Sequence, residues 1–322
     1  MRAIVTGGHG FIGYNLCKFL AQDFTDWDIL VIDDLSSGKW WNKIEKFDYI
    51  YEKVQTTGFM EETIKRWQPS IIFHLSATPR VAYSVEHPFE TCESNLIATL
   101  RILEAIKGTQ TRLINTSSSS IYGHAELPTQ ETAPANPLSP YAMQKWQAEE
   151  WCRMYAQLYD VDVLTIRPFN VFGPYSYYGG AYSTVLSAWL YTLYVDPHIR
   201  PFLEGDGTQS RDFCYIDNVV QAYVAAATVA ERFYGESFNI AQGTSHTLLE
   251  CKDLLEQISG KKLDLELKPP RKGDVPHTLA NISSARSRLK YKPETDFENQ
   301  VKAMAEWYQS GYLPSFDDQI QP

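Results

Sequence analysis

Long apolar runs are missing from this sequence. No stretch approaches the roughly 20 residues that span a bilayer, so no membrane partner is expected. The opening MRAIVTGG has no signal-like apolar core and runs straight into a strand pattern, which makes a cytoplasmic location the expectation. Cysteine is scarce: there are five, at Cys17, Cys92, Cys152, Cys214 and Cys251, with no CxxC. Such spacing argues against a disulfide framework and a cysteine zinc site, and it fits a reducing compartment. The seven histidines form no HxxxH pair, so no metal is expected. Positive charge is in deficit, with a net charge of −10, which argues against nucleic acid as the main partner. An anionic small molecule still fits if a few arginines converge. Internal repeats and low-complexity tracts are absent as well.

The remaining composition is ordinary for a globular protein, 44 % apolar and 21 % charged. Its 322 residues suffice for one large domain or two smaller ones. The chemistry concentrates in one stretch, from Thr116 to Lys145. TSSSSIYG follows the apolar pair Leu113–Ile114 and so sits at the carboxyl end of an expected strand. SPYAMQK then places Tyr141 and Lys145 four apart, just after Pro140. Proline suits a first helical turn, and residues four apart share a helix face. A phenol beside an ammonium is an acid–base device, because the cation is expected to lower a tyrosine pKa of about 10. A serine hydroxyl aimed at the same point could donate to an alkoxide or carbonyl oxygen. Oxidising an alcohol needs such a base and a separate hydride acceptor. The chain also holds Tyr14/Lys18 and Tyr49/Lys53 at the same spacing, so spacing alone decides nothing. Only Tyr141/Lys145 follows a serine-rich strand end.

A hydride acceptor is suggested by the start of the chain. Arg2–Thr6 is a β-rich run, followed by GGHGFIG with Gly7, Gly10 and Gly13 three apart, then the apolar-periodic FIGYNLCKFL. Strand, glycine turn and helix form the context of a dinucleotide site, in which a pyrophosphate rests on the helix N-terminus. DILVID then ends on Asp33, 20 residues after Gly13. An acid there accepts from ribose hydroxyls and repels a 2′-phosphate, which favours NAD over NADP. Lys39 is the nearest opposing charge, and a plain turn role for Asp33 stays open.

Further strands are expected at Asp48–Tyr51, Ser70–Leu75 (with His74 in the core), Val161–Ile166 and Ser237–Ile240. Helices are expected at Phe59–Trp67, Cys92–Lys107, after Pro140, Leu248–Ile258 and Phe297–Tyr308. Alternating strands and helices define an α/β protein with a Rossmann-type, doubly wound parallel sheet. Residues 1–172 are read as the NAD-binding domain, with 214–241 returning to it. Residues 173–213 and 242–322 are read as a smaller, partly discontinuous C-terminal α/β substrate domain closing over the carboxyl edge of the sheet.

TGGHGFIG, Asp33, TSSSSIYG, SPYAMQK, RPFNVFGP, GDGTQSRDFCYIDN and RKGDVPHTLAN occur in this order. The chain resembles extended short-chain dehydrogenases/reductases of the NAD-dependent epimerase/dehydratase family, and most closely the UDP-hexose 4-epimerases. The resemblance covers nearly the whole chain. It implies Tyr141 as the base, Lys145 as the residue orienting the nicotinamide ribose, and Ser118 as the catalytic serine. It implies a cofactor set completed by Phe11, Ile12, Asp34, Leu35, Ser36, Ser37, Gly38, Lys53 and Val54. Leu75, Ser76, Ala77, Asn95, Thr116, Phe169 and Val171 belong to the same expected set. For a UDP-sugar substrate it implies Asn170, Arg211 and Arg271 around the diphosphate, Phe202 beside the uracil and Asp274 at the uridine ribose. Arg80, Ser119, Ser120, Ala181, Tyr182, Val185 and Thr278 complete the expected substrate set. For Arg211 and Arg271 a surface salt bridge is the competing reading.

Family dehydratases carry Asp-Glu after the catalytic serine or threonine, whereas here those positions are Ser119 and Ser120. The sequence thus supports oxidation and re-reduction without elimination. Lys53 departs from the Asp common in related epimerases, and Arg80 is an additional cation. Tyr83-Ser84 is similar to UDP-glucuronate 4-epimerases, which keeps a uronic acid substrate open. The resemblance also implies a homodimer, joined through the helices at Cys92–Lys107 and Tyr141–Tyr159.

Overall fold

Short β-branched and apolar runs, most of them bounded by Asp, Gly, Pro or Ser, form the strands. The computed structural model describes residues 1–179, 184–270 and 275–310. In chain order the strands begin with β1 (Arg2–Thr6), β2 (Asp28–Ile32), β3 (Asp48–Ile50), β4 (Ile71–His74), β5 (Arg112–Thr116) and β6 (Val163–Pro168). They continue with β7 (Val171–Phe172), β8 (Phe202–Glu204), β9 (Ser210–Arg211), β10 (Cys214–Tyr215), β11 (Tyr234–Ile240), β12 (His246–Thr247) and β13 (Glu266–Lys268). The helices are α1 (Phe11–Asp23), α2 (Phe59–Trp67), α3 (Val81–Glu86), α4 (Pro88–Cys92), α5 (Ala98–Ile106) and α6 (Pro140–Tyr159). Beyond them lie α7 (Val185–Tyr194), α8 (Ile216–Thr228), α9 (Leu248–Ser259), α10 (Ser283–Arg288) and α11 (Phe297–Gln309).

Seven of these strands form one parallel sheet in the order β11-β6-β5-β4-β1-β2-β3. The chain runs outward from β1 to β3, then returns on the other side of β1 through β4, β5 and β6. The order therefore reverses beside β1, and such a switch point opens a ligand crevice at the carboxyl ends of the strands. Thr6 pairs with Ile32 on one side and His74 on the other, so these three strands end level. β4 and β6 are buried along their whole length, as expected of strands covered on both faces. One core layer joins Val5, Phe73 and Ile166 to α1 and α8. The other joins Ile4, Ile72 and Val163 to α2 and α5. A third cluster, around Trp189, Phe213, Met304 and Tyr308, supports the C-terminal elements.

Three expectations are adjusted. The helix expected over Cys92–Lys107 is interrupted by a π-helical turn at Glu93–Ile97, and α5 begins only at Ala98. The buried Asn95 explains the interruption, because its side chain bonds Thr78 and Gln144 across the packing interface. The strand expected at Val161–Ile166 is β6, two residues further on. Helix α8 was not anticipated; it packs against α1 and leads into β11, which pairs with β6. Among the described residues no helix is long and apolar enough to cross a membrane.

Candidate active site

The carboxyl ends of β1, β2, β4, β5 and β6 surround one cavity. Its floor is the turn between β1 and α1. Gly7 has φ +73°, and a Cβ there would stand 2.7 Å from the Ser76 backbone nitrogen. At Gly13 a Cβ would meet the Gly7 carbonyl at 2.1 Å, so only glycine lets α1 pack this close to its own strand. No side chain caps α1, whose N-terminal residues Gly10, Phe11 and Ile12 face the cavity. A helix N-terminus presented in this way suits an anionic pyrophosphate.

Asp33 sits just past β2 and is buried. Its carboxylate accepts the backbone N–H groups of His9 and Leu35, each at 2.9 Å. Burial raises its pKa above the ordinary value, and those two bonds pull it back down. With up to four lone-pair directions, the carboxylate can still accept from a ribose. The Ser117 hydroxyl and His9 Nε2 are buried without a partner, and both residues line the cavity. Unfilled polar positions beside a glycine turn and a strand-end acid fit a dinucleotide.

At the far end, Ser118, Tyr141 and Lys145 converge. Helix α6 begins with Ser139 as N-cap, its Oγ accepting from Ala142 N at 3.2 Å, and Pro140 in the first turn. Tyr141 and Lys145 then lie one turn apart and face inward, both nearly fully buried. The Tyr141 phenol faces the cavity beside Ser118, whose hydroxyl favours its ionised form. Lys145 Nζ donates to the Thr116 carbonyl at 2.9 Å.

The expected lowering of the Tyr141 pKa by Lys145 is corrected by this geometry. Burial pushes the phenol up to about 12, against the downward pull of Ser118. Burial also pulls Lys145 down to about 8, opposed by the Glu149 carboxylate one turn further along α6. Desolvation dominates at both positions because both groups are withdrawn from water. Glu149 is itself held by Arg167, whose Nε donates to its two oxygens at 3.0 and 3.1 Å. His74, read as a core residue, is buried between Thr6 and Thr99, at 2.8 and 3.1 Å. Burial lowers its pKa to about 3, so it stays neutral.

The cavity gathers most of the expected cofactor residues: Gly7, Gly10–Gly13, Asp33, Asp34, Ser36, Ser37, Gly38, Lys53, Val54, Leu75, Ser76, Ala77, Thr116 and Val171. Leu35, Asn95 and Phe169 are not among its lining residues. Leu35, at φ 57°, gives its backbone N–H to Asp33, Asn95 braces Thr78 and Gln144, and Phe169 is packed in the core. Sequence reasoning missed His9, Lys39, Asn42, Ser117 and Tyr177, which do line it. For Ser117 the signal was at hand, since it belongs to the same serine run. Tyr177 comes from a distant loop and carries no local signal.

The expected substrate residues form a looser group. Asn170 Nδ2 donates to the Asp212 carbonyl at 3.2 Å and to Thr278 Oγ1 at 3.0 Å. Arg211 Nη1 donates to the carbonyls of Ser210 and Pro276, both at 3.0 Å. Phe202 is exposed on β8, with Lys268 Nζ 4.0 Å from its ring centroid. Ser119 and Ser120 form the 3₁₀ turn after β5, Ser120 with a buried, unpartnered hydroxyl. Val185 opens α7, and Arg80 donates to the Gly179 carbonyl at 2.9 Å. Ala181, Tyr182, Arg271 and Asp274 lie outside the described residues. Among the described residues no three His, Cys, Asp or Glu side chains converge as metal ligands would.

A parallel switch-point sheet, a glycine turn, a strand-end acid and a buried serine–tyrosine–lysine group together define an NAD-dependent enzyme of the Rossmann type. Residues 3–241 match the NAD dependent epimerase/dehydratase family, and the chain belongs to that family. A UDP-glucose 4-epimerase of Mycolicibacterium smegmatis is 32 % identical over 96 % of this chain and 99 % of its own length. The structure of a UDP-N-acetylglucosamine 4-epimerase from Methanobrevibacter ruminantium, in complex with UDP-N-acetylmuramic acid, superposes with TM-score 0.88 at 31 % identity, covering 96 % and 98 % of the two chains. A UDP-glucuronic acid 4-epimerase from Bacillus cereus, solved with UDP-glucuronic acid and NAD, gives TM-score 0.88 at 27 % identity over 97 % and 100 %.

Proposed function

We propose that the protein is a UDP-sugar 4-epimerase acting through a transient 4-keto sugar. One observation carries the reading: Tyr141, Ser118 and Lys145 line the cofactor cavity together, while the two positions after Ser118 hold serines and no acid. NAD, held by the glycine turn and Asp33, would supply the hydride acceptor. Burial alone holds the Tyr141 phenol protonated, so the positive charge of the oxidised nicotinamide would have to favour its phenolate; Tyr141 then takes the proton of the carbon-4 hydroxyl, and Ser118 donates to the oxygen as it becomes a carbonyl. Lys145, anchored on the Thr116 carbonyl, orients the ribose end of the cofactor. With no carboxylic acid at positions 119 and 120, nothing there expels a neighbouring hydroxyl, so the keto sugar is returned to an alcohol. The C-terminal elements supply the nucleotide-sugar site, with Asn170, Arg211 and Arg271 near the diphosphate and Phe202 at the base.

The sugars we assign are UDP-glucose/UDP-galactose and their N-acetyl counterparts, because Thr278 is small where a bulky aromatic would exclude an acetamido group. The test is a panel of UDP-glucose, UDP-N-acetylglucosamine and UDP-glucuronate, with wild type and Tyr141→Phe side by side. Interconversion of C4 epimers without net cofactor reduction supports the reading. Tyr141→Phe should keep bound NAD and lose about 10²- to 10⁴-fold in rate. Net reduction of NAD during turnover would point to a one-way dehydrogenase, and a strong uronate preference would move the sugar assignment.

The same reading includes a homodimer. Val85, Phe89, Met154 and Leu158 are 61, 81, 47 and 65 % exposed on the neighbouring helices α3, α4 and α6. A two-fold pairing of these helices would cover this apolar surface. A monomeric mass by light scattering at micromolar concentration would refute it.

A further inference from the structure

The loop leading from β7 towards α7, residues 174–179, crosses the mouth of the cofactor cavity. In the sheet β1 lies between β2 and β4, so the glycine turn after β1 lies between the loops that follow those two strands. Segment 174–179 touches both loops. On the β2 side, Trp41 Nε1 donates to Tyr177 Oη at 3.2 Å, and the two rings meet edge-on at 6.3 Å. The Tyr177 hydroxyl donates to Asn42 Oδ1 at 3.4 Å. Asn42 Nδ2 donates to the carbonyl of His9, inside the glycine turn, at 3.0 Å. On the β4 side, Arg80 Nη2 donates to the Gly179 carbonyl at 2.9 Å.

The segment is also tied down from below. Asn15 Nδ2 on α1 donates to the Pro174 carbonyl at 3.1 Å. Lys18 Nζ donates to Tyr175 Oη at 3.0 Å and lies 4.5 Å from that ring's centroid. Tyr175 has φ +69°, a conformation a non-glycine residue keeps only where its surroundings over-determine it. Those surroundings include Tyr14 and Trp307, whose rings lie 4.8 and 5.2 Å away. Tyr308 Oη donates to the Ser176 carbonyl at 2.6 Å. The strain at Tyr175 accompanies the placement of its neighbour Tyr177 against the cofactor cavity.

We propose that segment 174–179 is a strap that retains NAD, with Trp41–Tyr177 and Arg80–Gly179 as its two clasps. A dinucleotide whose pyrophosphate rests on the glycine turn lies beneath the strap, and it leaves only when a clasp parts. An enzyme that restores its cofactor in every cycle gains from slow release, and that use rests on the epimerase reading. The effect on release itself rests only on NAD occupying the groove.

The test uses the full chain loaded with NADH, chased with excess NAD⁺ and followed by the loss of NADH fluorescence. Trp41→Phe, Tyr177→Phe and Arg80→Gln each remove hydrogen-bonding groups and keep most of the side-chain volume. Each should speed release about three- to tenfold, the worth of one net hydrogen bond. The Trp41→Phe/Tyr177→Phe double variant should release no faster than the faster single variant, because both substitutions break the same bond. Unchanged release in all three single variants, or multiplied effects in the double variant, would overturn the strap. No sugar enters this experiment, so a negative sugar panel leaves its outcome standing.

Discussion

The Ser84 hydroxyl accepts the backbone N–H of Tyr141 at 3.1 Å, which ties α3 to the first turn of α6. A helix leaves its first N–H groups without internal partners. Here Pro140 has none to offer, Tyr141 uses Ser84, and Ala142 uses Ser139. Ser84 is fully buried and donates in turn to the Val81 carbonyl at 2.6 Å. Ser84→Ala should leave a buried N–H unpaired and cost about 1–3 kcal/mol of stability. The rate should fall more than cofactor affinity, because Tyr141 loses its anchor while the NAD groove is intact. Urea unfolding and single-turnover rates check this; no change in either would show that Tyr141 is held by other contacts.

Burial decides the next expectation. Lys145 is held near pKa 8, below its ordinary 10.5. Between those values the unfolded chain binds a proton that the folded chain does not. This group's contribution to stability therefore rises with pH across that window and is complete above about 10.5. Lys145→Met should remove that rise. The check is the difference in urea midpoint between wild type and variant, measured at pH values across the window. An unchanged pH slope in the variant would mean that Lys145 titrates as an ordinary exposed lysine.

These two cases also mark how far the sequence could be read. The glycine turn, Asp33 and the Tyr141/Lys145 spacing are local signals, because each depends on a strand, turn and helix contiguous in the chain. The doubly wound sheet followed from the alternation of such units. The sign of the Tyr141 shift did not, since desolvation is set by everything that packs around the ring. The π turn around Asn95 depends on partners 17 and 49 residues away. Tyr177 reaches Trp41 across 136 residues, a pairing that no periodicity encodes. Helix α8 escaped because DNVVQAYVAAAT is apolar on most faces, as a helix packed between the sheet and its neighbours can be.

At Asp33 the structure adds a stability effect to the expected cofactor effect. Its carboxylate accepts two buried backbone N–H groups besides any ribose hydroxyl. Asp33→Ala should weaken NAD binding and relax discrimination against NADP. It should also destabilise the cofactor-free protein by about 1–3 kcal/mol through the orphaned N–H groups of His9 and Leu35. Calorimetry with both dinucleotides and thermal melts of stripped protein test the two halves separately. Unchanged NAD affinity with no gain for NADP would remove Asp33 from the ribose site.

The proposed sugar specificity rests on Thr278. Its Oγ1 accepts from Asn170 Nδ2 and from the Asp212 backbone N–H, both at 3.0 Å. Its backbone N–H donates to the Ser210 carbonyl at 3.0 Å, so the loop carrying it is fixed beside Arg211. The hydroxyl thus orients Asn170 and keeps only its own proton for a ligand. A tyrosine here would add a ring to a position whose backbone cannot retreat. Thr278→Tyr also removes Oγ1, so it should slow every sugar as loss of that hydroxyl does and lose kcat/KM on UDP-N-acetylglucosamine by a further factor, since overpacking costs roughly 1–3 kcal/mol and 1.4 kcal/mol is about tenfold. Thr278→Val separates volume from hydrogen bonding: it keeps the size, frees Asn170, and should slow acetylated and plain sugars alike. The two variants are compared by kcat/KM on UDP-glucose, UDP-N-acetylglucosamine and UDP-glucuronate. If Thr278→Tyr loses no more on UDP-N-acetylglucosamine than Thr278→Val does, Thr278 acts only by holding Asn170 and the sugar gate lies elsewhere.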